Sequence, residues 1–117
     1  MNEHKDYVSK HQENGSIHIS EDVIISLVKL TIADTEGVSI RVGLTKKSAA
    51  KDIAVAFISD DEITITCKVY AGIGKNIKQT AKTTQEAITS AVESVTGLKV
   101  AEVNIDIVGI TLPKDNA

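Results

Sequence analysis

Aromatic side chains are scarce in this 117-residue sequence, which has two Tyr, one Phe and no Trp. Proteins that bind single-stranded nucleic acid commonly stack bases on aromatic side chains. The shortage therefore argues against an aromatic platform for bases or sugars. The apolar residues make up 42% of the chain and are mostly Ile, Val, Ala and Leu, so we predict an aliphatic core.

Cysteine is even scarcer, because Cys67 is the only one. Neither an internal disulfide nor a cysteine metal cluster can form, and a reducing compartment is the simplest fit. Apolar and polar residues alternate around Cys67 as they do in a strand. We interpret Cys67 as a buried, unreactive thiol, since the sequence shows no base beside it.

Long apolar runs are absent. No stretch approaches the roughly 20 apolar residues that span a bilayer, and residues 1–14 lack the apolar segment of a secretory signal. The formal net charge of −3 argues against bulk electrostatic binding of nucleic acid. We therefore expect a cytoplasmic protein, unless a partner brings it to a membrane, and nucleic acid is a disfavoured partner.

The length fits one domain. We predict a disordered tail over residues 1–15, a single domain over residues 16–112 and a second tail over residues 113–117. His4, His11 and His18 recur at a spacing that suits no compact metal site. We therefore assign no metal and no cofactor.

The patterning divides the domain into seven elements. We predict a strand over 16–20, a helix from Ser20 that ends at Gly37, strands over 38–42, 53–58 and 62–70, a helix from Asn76 that ends at Gly97, and a strand over 100–112. The alternation of the last strand slips near residues 101 and 107, so we expect a bulge or a bend at one of them.

In chain order these elements read β-α-β-β-β-α-β. We predict a two-layer α+β domain in which a mixed β-sheet carries two helices on one face, with the strand order left open. The apolar stripe of the second helix predicts a core of four helix residues against four strand residues. They are Ile77, Ala81, Ile88 and Val95 against Ile40, Val55, Ile65 and Ile105.

The second helix carries its charges against its own dipole. Lys75, Lys78 and Lys82 lie at its amino end, whereas Glu86 and Glu93 follow later. A helix dipole favours the reverse order. The arrangement indicates that the amino end serves contact rather than helix stability.

The glycines before that helix could expose backbone N–H groups to an anion. A P-loop needs Ser or Thr after Gly74-Lys75, but Asn76 stands there. An RNA-binding Gly-x-x-Gly loop that starts at Gly72 needs glycine at the position of Lys75. We favour a plain strand-to-helix turn. The alternative is an RNA- or nucleotide-binding module that uses the turn from Gly72 to Lys78.

Two further charged segments have ordinary explanations. The adjacent carboxylates of Asp60, Asp61 and Glu62 lie in a predicted hairpin turn, where solvation and turn chemistry account for them, so we assign no catalytic residue. The segment from Lys46 to Lys51 holds three lysines and is expected to be solvated, with anion binding left open.

A polar strand face offers a candidate interaction surface. The residues after the hairpin turn alternate, so that Thr-rich positions share the face opposite to the core. Together with the helix lysines, the candidate surface comprises Thr64, Thr66, Lys68, Tyr70, Lys75 and Lys78.

Two linked stretches resemble a known family. Lys68-Val69-Tyr70-Ala71-Gly72 leads into a helix, and Thr96-Gly97-Leu98-Lys99-Val100-Ala101-Glu102-Val103-Asn104-Ile105-Asp106-Ile107 follows it. They resemble the alkaline shock protein family, the envelope stress response proteins of Gram-positive bacteria, over residues 16–112. The sequence departs from the family at Asp106, where histidine is frequent, and at residues 71–74.

The resemblance implies a small non-enzymatic cytoplasmic protein without a cofactor. It implies self-association into a homo-oligomer and docking on a membrane-anchored protein partner at the inner face of the membrane, in support of the cell envelope under stress. The partner, the inducing stress and the size of the oligomer stay open.

Overall fold

The computed structural model describes residues 15–40 and 52–112. The helices and strands within them are α1 (Glu21–Ala33), β1 (Val38–Ser39), β2 (Ile53–Ser59), β3 (Glu62–Gly72), α2 (Ile77–Thr96) and β4 (Lys99–Thr111). The predicted α+β class is confirmed, and so is the order of elements from the first helix onward. The predicted strand ahead of it is reduced to a single bridge at Gly15, and residues 16–20 lie outside the sheet.

Several predictions fall outside the described residues. They concern His4 and His11, the lysine segment from Lys46 to Lys51, and the two tails except for Gly15. The end of the strand predicted over 38–42 also lies there.

α1 begins where its capping residue predicts. The Oγ of Ser20 accepts a hydrogen bond from the backbone N–H of Val23 at 3.4 Å, and acidic side chains in the first turn suit the positive end of the helix dipole. The helix ends earlier than predicted, at Ala33, and Gly37 lies in the following turn with a φ of +87°. Its buried residues are Ile24, Val28 and Ile32.

β3 is the central strand of the sheet. It pairs in parallel with β4 along its whole length, from Glu62 to Gly72, so β4 occupies one of its two edges. β2 and β1 both pair antiparallel with β3 and therefore share the other edge, end to end. The mixed sheet is as predicted, and α2 supplies the long connection that a parallel pair requires.

β4 is bulged at both places where its sequence alternation slips. The pairing register shifts between Val100 and Glu102 and again between Ile107 and Gly109. Each shift adds one residue of β4 without a partner on β3. The sequence predicted one such irregularity, and the structure has both.

The buried face of α2 differs from the predicted stripe. Ile88 is fully buried, as predicted, but Ile77 is 41% and Val95 65% exposed, because these two lie in the terminal turns of the helix. Ala81 is only half-buried. The other core positions of α2 are Thr80, Thr84 and Val92.

Threonine can occupy such core positions because the helix satisfies its hydroxyl. Thr84 Oγ1 donates to the backbone carbonyl of Thr80 at 2.8 Å, so the buried hydroxyl of Thr84 is paired. Of the four strand residues predicted to face α2, Ile65 is fully buried, and Ile40, Val55 and Ile105 pack against the core with part of their surface exposed.

Candidate interaction surface

The two faces of β3 differ sharply. Ile63, Ile65, Cys67 and Val69 are fully buried toward the helices. Their neighbours in sequence point to the opposite face, which neither α1 nor α2 covers. Four residues of the predicted surface therefore form one row there: Thr64, Thr66, Lys68 and Tyr70.

The flanking strands complete this face with small and polar side chains. Thr66 lies between Ala54 of β2 and Asn104 of β4, and Thr64 has alanine and glutamate as its two neighbours. Asn104 Nδ2 donates to Thr66 Oγ1 at 3.4 Å. We call this the open sheet face; it comprises Ala54, Ala56, Thr64, Thr66, Lys68, Tyr70, Glu102, Asn104, Asp106 and Gly109.

A tyrosine ring closes one end of the open sheet face. Tyr70 pairs with Gly109, and its ring lies so near that a Cβ added to Gly109 would stand 2.7 Å from both Cδ2 and Cε2. Only glycine leaves room for the ring at that position. Sequence reasoning missed this contact, although a glycine inside an apolar strand commonly marks such a close approach.

The two other predicted residues lie elsewhere. Lys75 belongs to the turn between β3 and α2, where its Nζ is 3.4 Å from Glu36 Oε2 and its stem lies beside Gly37. Lys78 is exposed on α2, in the helical layer. The predicted surface therefore divides into a sheet part and a lysine part on different sides of the molecule.

The glycine turn uses its own backbone groups. Gly72 N–H donates to the carbonyl of Gly37 at 2.9 Å, and Lys75 N–H donates to the carbonyl of Gly72 at 3.3 Å. Asn76 Oδ1 caps α2 by accepting from the N–H of Gln79 at 2.9 Å. These bonds fit a strand-to-helix turn, and they leave few donors for a phosphate.

The family comparison covers nearly all of the described residues, including the link from α2 to β4. Residues 9–112 match the model of the alkaline shock protein family, which is described as having a cell envelope-related function. The chain belongs to this family. Comparisons with curated proteins and with solved structures each give no match.

The family motif of this alkaline shock protein family member is largely structural. Thr96 Oγ1 donates to the carbonyl of Val92 at 2.7 Å and accepts from the N–H of Leu98 at 3.1 Å. Gly97 ends α2 in the left-handed conformation with a φ of +77°, as its Cβ-free backbone allows. Leu98 and Val100 are buried, so the motif fixes how the helix delivers β4 to the sheet.

Sequence reasoning also missed two contacts between α2 and the outer edge of β4. Gln85 Nε2 donates to the carbonyl of Val103 at 2.9 Å, and Val100 N–H donates to Glu93 Oε2 at 2.9 Å. Each bond satisfies a backbone group on the side of β4 away from β3. No periodic signal predicts them, because the partners lie on different elements.

The side chain of Cys67 lies in the core and is not accessible for chemistry. Cys67 is fully buried, as predicted, and burial, aided by the negative charge of Asp106, raises the pKa of its thiol to about 12. Over residues 15–40 and 52–112, no cluster of three His, Cys, Asp or Glu is placed to hold a metal. In the same part of the chain, no helix is both long and apolar enough to span a bilayer.

Proposed function

We propose that this protein is a non-enzymatic envelope stress response protein that acts as a self-associating scaffold. In this proposal it docks on a membrane-anchored protein partner at the cytoplasmic face of the membrane. Membership of the alkaline shock protein family supports the link with the cell envelope. The observation that carries the scaffold role is the open sheet face, which neither described helix covers.

The chemistry of the open sheet face suits a protein contact. Its centre holds Ala54, Ala56, Thr64 and Thr66, which are short and uncharged and therefore cost little to remove from water. Lys68 is paired in register with Asp106, so opposite charges already lie side by side on this face before any contact forms.

We assign a second copy of the chain to this face on grounds of charge. Besides Lys68 it carries Glu102 and Asp106, and a copy turned end for end can set its Lys68 against Glu102. Opposite charges that meet across a contact favour one arrangement over others.

The size of the face implies weak single contacts. Three strands about 4.8 Å apart and about seven residues long, at about 3.3 Å per residue, cover roughly 330 Å². A stable interface buries about 800 Å² on each partner. We infer that one such contact is weak and that further contacts elsewhere on the chain add to it in the oligomer.

The non-enzymatic part of the proposal is supported by the reactive residues. The only thiol is buried and has a raised pKa. Asp60 and Asp61 form the turn between β2 and β3, where Asp61 Oδ1 accepts from Ser59 Oγ at 3.2 Å. That bond is ordinary turn chemistry and gives no sign of an activated carboxylate.

A pair of matched variants tests the scaffold role. Thr66→Arg places a long cation at the centre of the open sheet face, whereas Thr83→Arg makes the same change on an exposed position of α2. We expect sedimentation velocity to show oligomers for the parent chain and Thr83→Arg, and loss of them for Thr66→Arg. Cell fractionation should show the parent chain with the envelope.

Two results would refute the proposal. One is a strictly monomeric parent chain at high concentration together with no envelope fraction in cells. The other is equal oligomer formation by Thr66→Arg and Thr83→Arg, which would remove the open sheet face from the contact.

A further inference from the structure

Across residues 15–40 and 52–112, no strand lies beside the outer edge of β4. In the described part of the chain β4 pairs only with β3, although it runs for 13 residues. A sheet edge of that length presents a row of unpaired N–H and C=O groups that can accept another strand.

α2 closes the first half of this edge. Gln85 satisfies the carbonyl of Val103, and Glu93 satisfies the N–H of Val100. The bulge at residue 101 further disturbs the edge there. A partner strand that paired with the first half would have to displace both side chains.

In the second half, the stretch up to Ile107 has no such closure within the described residues, and the second bulge of β4 follows it at Val108. The register runs without a shift from Glu102 to Ile107, and successive residues of a strand direct their backbone groups to alternate edges. The outward carbonyl of Val103 therefore implies that the backbones of Ile105 and Ile107 also point outward. Within the described residues, no side chain bonds to the outward N–H or C=O groups of Ile105 and Ile107.

Apolar side chains surround this second half, and charged residues are missing from residues 107–112. The exposed fractions of Val108, Ile110 and Leu112 are 52%, 45% and 71%. Proteins usually protect a free edge with charges or proline, so an apolar, uncharged edge of this kind is suited to being covered. We call residues 105–112 of this outer edge the open β4 edge.

Two lysines lie on the same side of α2 as Gln85, which contacts the outer edge of β4. Lys82 and Lys78 precede Gln85 by three and seven residues, so all three lie on one side of α2. Gln85 meets Val103 while the later Glu93 meets Val100, so α2 runs antiparallel to β4 and the lysines lie toward Ile105 and Ile107. They line a groove of about 590 Å³ with Asn76, Gln79, Ala81 and Gln85.

No acidic side chain in the described part of the chain pairs with these lysines. Neither Lys78 nor Lys82 forms an ion pair there, and cations at the amino end of a helix oppose the helix dipole. A carboxylate brought beside them from outside would remove this unfavourable interaction.

We propose that the open β4 edge binds an extended, acidic segment of a protein partner by strand addition. This inference rests on the proposed docking function and gives it a place on the molecule. The backbone of the segment would pair with Ile105 and Ile107, and its carboxylates would meet Lys78 and Lys82. Backbone pairing supplies affinity in such complexes, and side chains at alternate positions supply specificity.

The geometry also predicts the pattern of the segment. Side chains alternate between the two faces of a strand, so carboxylates at every second position would all reach the lysine side. Asp106 points to the other face, where it would repel acidic residues. The segment should therefore alternate carboxylates with neutral residues.

A second copy of the chain fits the open β4 edge less well. Within residues 103–112 the only carboxylate is Asp106, and it lies on the open sheet face. In a continuous sheet that keeps all helices on one face, the β4 of a second copy would offer Lys78 and Lys82 no carboxylate.

A synthetic peptide tests the inference on the full chain. The probe is a fluorescent eight-residue peptide in which aspartate or glutamate alternates with threonine, and its binding is followed by anisotropy. The control peptides replace every carboxylate with lysine or carry N-methyl groups on alternate amides. We expect binding of the acidic peptide only, with amide shifts in NMR spectra at residues 105–110.

Two doubly substituted chains with the same change in net charge locate the site. Lys78→Glu with Lys82→Glu should weaken peptide binding at least tenfold, whereas Lys29→Glu with Lys99→Glu should leave it within twofold. Ile107→Pro should abolish binding while the circular dichroism spectrum is unchanged, because proline is tolerated where the missing N–H faces outward. The lysine variants keep the test decisive if Ile107→Pro fails to fold.

Each of several outcomes would overturn the inference. They are no binding at 1 mM peptide, equal binding of the lysine peptide, equal loss in the two double variants, and oligomers that disappear in Ile107→Pro, which would assign the edge to a second copy. If the acidic peptide does not bind but the parent chain still forms oligomers and is found with the envelope, only this inference is refuted. A parent chain that forms no oligomers and is not found with the envelope would instead refute the proposed function.

Discussion

The contact between Tyr70 and Gly109 gives a sharp test of the packing on the open sheet face. In Gly109→Ala the new Cβ would stand 2.7 Å from Cδ2 and Cε2 of Tyr70, well inside normal contact distance. The φ of Gly109 is not positive, so alanine fits the backbone and the clash is the only obstacle. The ring must therefore move off β4.

The expected free-energy change has two opposing parts. Forcing an extra methyl group into a packed site typically costs about 1 to 3 kcal/mol. Replacing glycine with alanine at a compatible position stabilises a protein by about 0.4 to 1 kcal/mol, because the unfolded chain loses freedom. We expect Gly109→Ala to lower the free energy of unfolding by up to about 2.6 kcal/mol, the difference between these parts.

A double-mutant cycle separates the two parts. In the Tyr70→Ser background the ring is absent, so Gly109→Ala should stabilise the protein by about 0.4 to 1 kcal/mol. The free energies come from urea unfolding of all four chains, with equal slopes required for comparison. A coupling near zero, or the same destabilisation with and without the ring, would refute the contact.

Two further predictions concern the interior. Ile88→Ala should lower the free energy of unfolding by about 2 to 5 kcal/mol because Ile88 is fully buried. Val95 is 65% exposed, so Val95→Ala should change the free energy of unfolding by less than about 0.5 kcal/mol. Similar losses for the two variants in urea unfolding would contradict the described orientation of α2. Burial raises the pKa of Cys67 from 9.0 to about 12, so the unfolded chain loses the thiol proton first and stability should fall as pH rises above 9, by up to about 1.4 kcal/mol per pH unit. Cys67→Ala should lack this extra slope, and identical slopes in the two chains would contradict it.

The spacing of apolar residues and the residues that begin or end helices account for the parts of the fold that were predicted from sequence. Ser20 and Asn76 begin helices because their side chains accept from nearby N–H groups, which is a local property of the chain. The slips in alternation near residues 101 and 107 correspond to the two bulges of β4. Both signals depend only on residues close in sequence.

The parts that were missed depend on contacts between distant residues. On α2, Ile77 and Val95 were counted toward the core and Thr80 was not. The spacing of residues along a helix does not show where the helix leaves the sheet or that a threonine is buried. The division of the candidate surface followed from the turn at Lys75, which carries the chain from the sheet to the helical layer. A strand pattern cannot show which edge a helix will later cover.

The family motif therefore separates into two kinds of position. Thr96, Gly97 and Leu98 hold the junction between α2 and β4 together through bonds and burial, so they define the fold. Asn104 and Asp106 are exposed on the open sheet face and contribute little to the core. The junction therefore lies inside the fold, whereas Asn104 and Asp106 lie on the surface that we propose for self-association. Differences between family members in what they bind are then expected to lie on the open sheet face and the open β4 edge, and not in the core.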